Sequence, residues 1–271
     1  MNKEQLELVC KKMRRDCLVM ADAAGHSGLH FGGTLSMIEI VGTLYFDVIK
    51  IGNPLFQSDE RDRVIISKGH GVPAFYAALH QMGVISDDEL KTFKSDKTEL
   101  YGHPTLNTRL GIEFSSGSLG QGLSLGVGVA LALKLKGNDT SRVYVILGDG
   151  ECDEGAVWEA AMSAAKYNLD NLIAIIDQNQ IQYDGNTEDV MPLGSLQGKW
   201  DSFGWQCETI NGHDVMQCKK AFSEQGSKPK VIIAQTVKGK GISFMEGEAS
   251  WHHAVMTRSQ RERAWEEIGD D

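Results

Sequence analysis

Two stretches of sequence decide the fold, RVYVILGDGE at 142–151 and NLIAIIDQNQI at 171–181. Each is a continuous apolar run of strand length that ends in polar residues, and residues 154–168 between them predict a helix. Strands that are apolar throughout and alternate with helices are typical of a parallel sheet that is buried on both faces. The sequence therefore predicts an α/β fold in which helices cover both faces of a parallel β-sheet.

The same alternation extends outward along the chain. Further apolar runs at 63–67, 205–210 and 230–237 predict strands. Helices are predicted at 3–24, 35–49, from 73, briefly after the capping pair Ser86 and Glu89, at 119–136, before 205 and at 214–225. Residues 94–117 have no period and predict a long loop, which in a compact domain is often functional. Because no repeat or break in composition interrupts this pattern, we expect one domain over residues 1–271.

Composition narrows the classes of function. A net charge of −10 over 271 residues argues against nucleic acid or an acidic membrane surface as the main partner. The five cysteines are odd in number and form no CxxC pair, which favours a reducing cytoplasmic location over a disulfide framework or a zinc site. The N-terminal segment is charged and unlike a signal peptide, and no apolar run approaches the length of a membrane span.

Oxygen ligands follow two consecutive predicted strands. Asp149 offers a carboxylate, Asn179 an amide oxygen, and Ile181 a carbonyl that we expect the loop to leave unpaired. Ligands bind at the carboxyl ends of strands in open parallel sheets, and Mg²⁺ prefers hard oxygens of this kind. Gly148 and Gly150 lack a Cβ, so the backbone can approach a metal or a phosphate closely. The alternative is a tight turn with a capping asparagine.

Several motifs, in the same order along the chain, resemble the N-terminal half of transketolases. The matching segments are AGHSG at 24–28, SKGHG at 67–71, YGHP at 101–104, SGSLGQG at 116–122 and GDGECDEG at 148–155, with Asn179 at the next strand end. The resemblance implies thiamine diphosphate and Mg²⁺ as cofactors. Ser27 and Ser118 stand where prolines are commoner, His30 stands where the family usually has a small or apolar residue, and SWHHA at 250–254 matches loosely.

The resemblance also implies roles for individual residues. Asp149, Asn179 and the Ile181 carbonyl would bind Mg²⁺. Contacts to the cofactor, mostly through backbone groups, are implied for Gly117, Ser118, Leu119, Gly150 and Glu151. His70 and His252 would donate to the diphosphate, with His253 competing for the second role. The alternatives are that these glycines only allow close packing and that these histidines only form hydrogen bonds within the fold.

Catalytic roles follow from the same resemblance. His26 and His103 would bind sugar hydroxyls and transfer protons at the reacting carbon, and loop packing is the alternative. Glu154 and Glu159 match acidic residues that join the two active sites across the dimer, and a solvated helix face is the alternative. The implied reaction transfers a two-carbon ketol unit from a ketose or ketose phosphate to an aldose or aldose phosphate.

The resemblance covers one half of the active site. The aminopyrimidine end of the cofactor would be bound by a separate C-terminal transketolase subunit, in a dimer of heterodimers. The Gly-rich helix at 119–136, with Gly122 and Gly126, is expected to pack closely at that interface. The alternatives are a half-subunit of another thiamine diphosphate enzyme, either deoxyxylulose-phosphate-synthase-like or the E1 α-subunit of a 2-oxo-acid dehydrogenase, and a non-catalytic regulatory subunit. The sequence does not identify the donor and acceptor sugars.

Overall fold

A five-stranded parallel sheet forms the centre of the protein, as the sequence predicts. The computed structural model describes residues 1–52 and 55–269. The strands are β1 Arg63–Ile66, β2 Val143–Gly148, β3 Leu172–Gln178, β4 Gln206–Asn211 and β5 Lys230–Gln235. They pair in the order β1-β2-β3-β5-β4, and every pair is parallel.

Helices cover both faces of this sheet. In chain order they are α1 Lys3–Ala24, α2 Phe31–Leu35, α3 Ile38–Thr43, α4 Val72–Gln81, α5 Asp87–Leu90, α6 Gln121–Leu135, α7 Gly155–Lys166, α8 Thr187–Val190, α9 Leu196–Ser202, α10 Val215–Ser223 and α11 Arg258–Ile268. Helices α1, α3, α4 and α10 share one apolar cluster with the sheet, whereas α6, α7 and α9 share the other. Neighbouring strand residues such as Val145 and Ile146 belong to opposite clusters, because successive side chains of a strand point to opposite faces.

The register of the strands brings their carboxyl ends together. Gly148 at the end of β2 lies beside Asp177 of β3, and Gln178 of β3 lies beside Gln235 of β5. The loops that follow β1, β2, β3 and β5 therefore start from one edge of the sheet. Polar residues that are far apart in sequence meet at this edge.

Most of the predicted element boundaries are confirmed, with two corrections. The predicted helix over 35–49 is divided into α2, α3 and a π-helical turn at Leu44–Val48. Ser36, between α2 and α3, is buried and donates a hydrogen bond to Asp177. This side-chain hydrogen bond competes with the regular hydrogen bonding of a continuous helix. Helix α11 was not predicted; it begins at a capping box formed by Thr257 and Gln260.

Helix α6 is apolar but only one of its faces is buried. Gly122 and Gly126 face the sheet, where an added Cβ would lie 2.4 Å from the Ser67 side chain and 2.5 Å from a Val145 methyl. The prediction that these two glycines pack at a subunit interface is therefore wrong, because they allow α6 to approach the sheet of its own domain. The opposite face of α6 is open, and Leu135 is 81% exposed. Within the described residues, no helix is long and apolar enough to cross a membrane.

Candidate cofactor and substrate site

A cavity of about 340 Å³ opens at the carboxyl edge of the sheet. Its lining comes from the loops after β1, β2, β3 and β5, and includes Lys68, His70, Asp149, Asn179, Lys238 and His252. Carboxylate, amide, ammonium and imidazole groups thus face one space. This is the position at which open parallel sheets bind their ligands.

Asp149 is buried at the start of the loop after β2. Its carboxylate accepts hydrogen bonds from the backbone N–H groups of Gly150, at 2.9 Å, and Gln180, at 2.5 Å. Burial and then the charge of Asp177 raise the pKa of Asp149 to about 6. A bound cation would offset both causes, so the surroundings of this carboxylate fit a metal ligand.

Asn179 and Ile181 present two further oxygens to the cavity. The Asn179 amide donates to Asp177 at 2.9 Å, and its oxygen accepts a bond from the Ile181 N–H at 3.2 Å. The Ile181 carbonyl accepts a hydrogen bond from Lys238 Nζ at 2.6 Å, so the expectation that it is unpaired is wrong. Together with Asp149 these residues supply the hard oxygens that Mg²⁺ prefers, and their use as ligands stays a prediction.

Asp177 holds two residues that line the cavity, Lys68 and Asn179, although no motif in the sequence singled it out. It is fully buried and accepts hydrogen bonds from Ser36, at 2.6 Å, and from Lys68 and Thr236. Burial alone would raise the pKa of Asp177, but the Lys68 charge and these hydrogen bonds hold it below its ordinary value. The sequence did contain a signal for this ion pair, since Asp177 begins the polar run at the end of β3 and Lys68 belongs to the SKGHG motif.

Glu151 binds three loops together. Its carboxylate accepts hydrogen bonds from the Ser67 hydroxyl, from Gly120 N at 2.8 Å and from Gly148 N at 3.0 Å. Glu151 also lines the cavity, and its predicted contact with a cofactor stays a prediction. The side chain fixes the shape of the cavity wall.

Cationic and imidazole groups also line the cavity, beside the predicted metal ligands. Lys238 is buried, and its pKa falls to about 8 because of burial and then the Lys68 charge. Burial places the pKa of His70 well below its ordinary value, and burial and then Lys238 lower that of His252 to about 4. Two ammonium groups and two imidazoles beside a metal site form a suitable environment for a diphosphate.

Five histidines cluster, with His30 at the centre, in a region that we call the outer end, and two of them, His70 and His252, line the cavity. The His30 ring centroid lies 4.5 Å from that of His253, 5.5 Å from those of His70 and His103, and 5.7 Å from that of His252. Burial, followed by the charges of His253, His252 and His103, lowers the pKa of His30 to about 3. At neutral pH His30 is therefore an uncharged donor and acceptor.

His26 is separated from this cluster. It is exposed and lines a different cavity of about 310 Å³, together with Asp22, Arg258 and Arg261. The structure thus places His30, for which the sequence predicted no role, beside His103, and the role predicted for His26 stays a prediction. The sequence alone did not separate the two, since GHSG and the following LHFGG both offer a histidine near glycine.

Comparisons with known proteins agree with this architecture. The family described as Transketolase, thiamine diphosphate binding domain, matches residues 10–271. The chain is 42% identical to an apulose-4-phosphate transketolase subunit of Phocaeicola vulgatus, over all of this chain and 96% of the relative. It is 43% identical to a 6-deoxy-6-sulfo-D-fructose transketolase subunit of Clostridium, over 88% of each chain.

Longer transketolases match over part of their length. A solved transketolase from Campylobacter jejuni superposes with a TM-score of 0.89 at 30% identity, over all of this chain and 44% of that one. The human transketolase is 34% identical, over 92% of this chain and 40% of its own. The chain belongs to the transketolase family. It corresponds to the thiamine diphosphate binding domain of these longer relatives.

The transketolase motifs that remain lie around the cavity and along one helix. Leu119 lines the cavity, while Gly117 and Ser118 are exposed beside it. Glu154 precedes α7 and Glu159 lies within it, and both are exposed, so the structure leaves them available to another chain. His103 approaches Gly117, where an added Cβ would lie 3.6 Å from its ring. The roles predicted for these residues stay predictions.

Proposed function

We propose that this chain is the N-terminal subunit of a two-subunit transketolase that depends on thiamine diphosphate and Mg²⁺. The observation that supports this most directly is the cavity at the edge of the sheet, which Asp149, Asn179 and Ile181 line together with Lys68 and Lys238. A metal with a diphosphate needs hard oxygens on one side and cations on the other. Both are present on loops that the same sheet positions.

The inner end of the cavity holds the diphosphate in this proposal. Asp149, Asn179 and Ile181 would hold Mg²⁺, while Lys68, Lys238, His70 and His252 would donate to phosphate oxygens. When bound, thiamine diphosphate supplies the electron sink for carbon–carbon bond cleavage. The buried ion pair of Lys68 with Asp177 keeps the loops around it in place before any ligand arrives.

The histidine end binds the sugar. Neutral imidazoles of His30 and His103 can each donate to one hydroxyl and accept a proton from another, which is the work of proton transfer at the reacting carbon. His103 is exposed and His30 half-buried, so a substrate can reach both. His26 is not part of this proposal, because it lies outside the cluster.

A separate C-terminal polypeptide completes the site. The chain matches nearly the whole length of relatives whose names call them transketolase subunits. The open face of α6 and α7, which we call the α6–α7 face, carries Leu135, Met162 and Tyr167, each more than half exposed. Apolar surface of this kind is typical of interfaces in permanent assemblies. Glu154 and Glu159, both exposed, would contact a second copy in a dimer of heterodimers.

The proposed reaction moves a ketol unit between sugars or sugar phosphates, and the complex is cytoplasmic in this proposal. The two relatives above are named for sugars with a phosphate or a sulfonate. A deoxyxylulose-phosphate-synthase-like or E1 α subunit would instead consume pyruvate, and a regulatory subunit would show no turnover with any donor. An assay of the assembled complex with pyruvate and with ketose phosphates separates these cases.

Calorimetry with matched aspartate variants tests the proposal. Asp149→Ala should reduce Mg²⁺-dependent affinity for thiamine diphosphate by at least about 100-fold, because a charged ligand of a buried cation is lost. Asp153→Ala, at an exposed carboxylate four residues further along the chain, should leave the affinity within about twofold. Unchanged affinity in a folded Asp149→Ala protein would show that the metal is bound elsewhere.

A further inference from the structure

Lys238 reaches the predicted metal ligands from the loop after β5. Its ammonium lies 2.6 Å from the Ile181 carbonyl oxygen, 3.4 Å from the Gln182 carbonyl oxygen and 3.1 Å from His252 Nδ1. The side chain is almost wholly buried. A cation of this chain therefore already occupies an oxygen that is expected to hold Mg²⁺.

The backbone that carries Lys238 is held from both sides. Val237 N donates to His213 Nε2 at 2.8 Å, and Gly239 N donates to the Gly32 carbonyl at 3.1 Å. The methylene stem lies on Gly32, where an added Cβ would be 2.7 Å from Lys238 Cε. These contacts restrict movement of the loop, so a change in the position of the ammonium has to come from the end of the side chain.

The Lys238 ammonium and a metal ion would each supply positive charge to the same carboxylates, and they therefore compete. Asp149 and Asp177 place two carboxylates near Lys238, and Lys68 is bonded to only one of them. Lys238 supplies positive charge beside Asp149 in the cofactor-free chain. Mg²⁺ on the Ile181 carbonyl would lie next to that ammonium, and two cations sharing one oxygen repel each other.

A diphosphate would remove this conflict. Its oxygens are strong acceptors for an ammonium, and they would lie in the same cavity as Lys238. Once Lys238 donates to phosphate, the Ile181 carbonyl is released to the metal. The metal and the diphosphate would then each favour binding of the other.

We propose that Lys238 is a displaceable stand-in for the metal: its ammonium occupies the Ile181 carbonyl in the cofactor-free chain and moves to the diphosphate when cofactor and metal bind together. This inference rests on the proposed function, since it takes Asp149, Asn179 and Ile181 as the metal ligands. It adds that the protein binds the metal less favourably when no cofactor is present.

Binding of Mn²⁺ to the cofactor-free protein directly tests the proposal that Lys238 is a stand-in for the metal. Mn²⁺ is titrated at pH 7.5 into the wild type, Lys238→Met and the matched control Lys240→Met, and the free ion is measured by electron paramagnetic resonance. Lys240 lies two residues away and is partly exposed beside Glu246. Lys238→Met should bind Mn²⁺ about tenfold more tightly than the control, because the competing cation is gone.

The same variants should show the opposite change for the cofactor. With saturating Mn²⁺, Lys238→Met should bind thiamine diphosphate about tenfold more weakly than Lys240→Met, because one charge-assisted hydrogen bond is lost. Circular dichroism checks folding, and Lys238→Gln replaces Lys238→Met if the methionine variant does not fold. Mn²⁺ binding no tighter than that of the control would overturn the stand-in.

Asp149→Ala separates this inference from the proposed function. If Asp149→Ala loses metal and cofactor while Lys238→Met matches the control, the metal site stands and the stand-in alone is wrong. If Asp149→Ala binds both as the wild type does, the site itself is misplaced and both proposals are wrong.

Discussion

At the inner end of the cavity buried carboxylates pair with lysines and backbone N–H groups, whereas at the outer end exposed and half-buried imidazoles contact one another ring to ring. Asp177, Lys68 and Glu151 are almost inaccessible to solvent, and each is bonded within the chain. His103 and His253 are exposed. Under the proposed function, the enclosed inner end is the diphosphate end, which this chain supplies, and the open outer end is the substrate end, which another surface would close.

Breaking the ion pair at the inner end should have the largest effect on stability. Lys68→Met leaves the carboxylate of Asp177 buried without its cation, which costs about 3–5 kcal/mol. Lys91→Met removes an exposed lysine paired with Asp88 and should cost less than about 1 kcal/mol. Urea unfolding of both variants measures the difference.

The double variant Lys68→Met with Asp177→Asn provides the control for that experiment. Removing both charges should recover part of the lost free energy of unfolding, because no buried charge is left uncompensated. Equal stability of Lys68→Met and Lys91→Met would show that the inner end is not held by this pair.

The outer end should govern turnover with little effect on cofactor binding. In the assembled enzyme, His30→Ala should lower kcat by about 100-fold, because a positioned proton-transfer group is removed. His26→Ala should lower it by less than about threefold, since His26 lines another cavity, together with Asp22 and Arg258. Steady-state kinetics with a coupled assay gives both values, and thiamine diphosphate affinity should stay unchanged. An equal loss of kcat in the two variants would contradict the division between these histidines.

The two faces of α6 show the same contrast, since one face packs on the sheet and the other is open. Gly126→Ala places a methyl 2.5 Å from a Val145 side-chain carbon and should cost about 1–3 kcal/mol of the free energy of unfolding. Gly128→Ala meets nothing within 4 Å and should stabilise the isolated chain by up to about 1 kcal/mol. Thermal unfolding compares them, and the same sign for both would contradict the assigned orientation of the helix.

A further expected effect is a dependence of stability on pH at the outer end. The pKa values of His30, about 3, and His252, about 4, lie below the ordinary value of 6.5, so the unfolded chain binds more protons between pH 6.5 and 4. The free energy of unfolding should therefore fall as pH decreases through this range. Above pH 6.5 these histidines should not lower the free energy of unfolding. His252→Gln should reduce the slope in urea titrations at pH 7.5, 6 and 5. An unchanged slope would mean that His252 is not held neutral by the fold.

Local signals in the sequence were sufficient to predict the sheet and the position of Asp149 and Asn179 at its carboxyl edge, while their role as ligands stays a prediction. Continuous apolar runs identified the strands, and Asp149 and Asn179 could be identified because each follows a strand directly. Parallel pairing then brings neighbouring strand ends together without further information. Helix α1 was predicted with its observed bounds, since it has a strong apolar stripe and an N-terminal cap.

The features that the sequence did not reveal depend on contacts between distant segments. Lys238 lies 57 residues after Ile181 and reaches it only because β5 pairs with β3. His30 directly follows Leu29, whose bridge to Ala254 helps to bring its ring beside those of His252 and His253, and no local pattern indicates this bridge. The inward orientation of Gly122 and Gly126 likewise depends on how α6 lies on the sheet, and apolar residues all around the helix gave no single stripe to identify its buried face.

Turnover measured before and after adding the C-terminal partner chain tests the central claim most directly. With thiamine diphosphate and Mg²⁺, this chain should bind cofactor but transfer no ketol unit alone, because its substrate end is open. Adding the partner should restore transfer and saturate at equal amounts of the two chains, with the cofactor tightening the complex. Size-exclusion chromatography should show the assembly in parallel. Sustained ketol transfer by this chain without any partner would contradict the account.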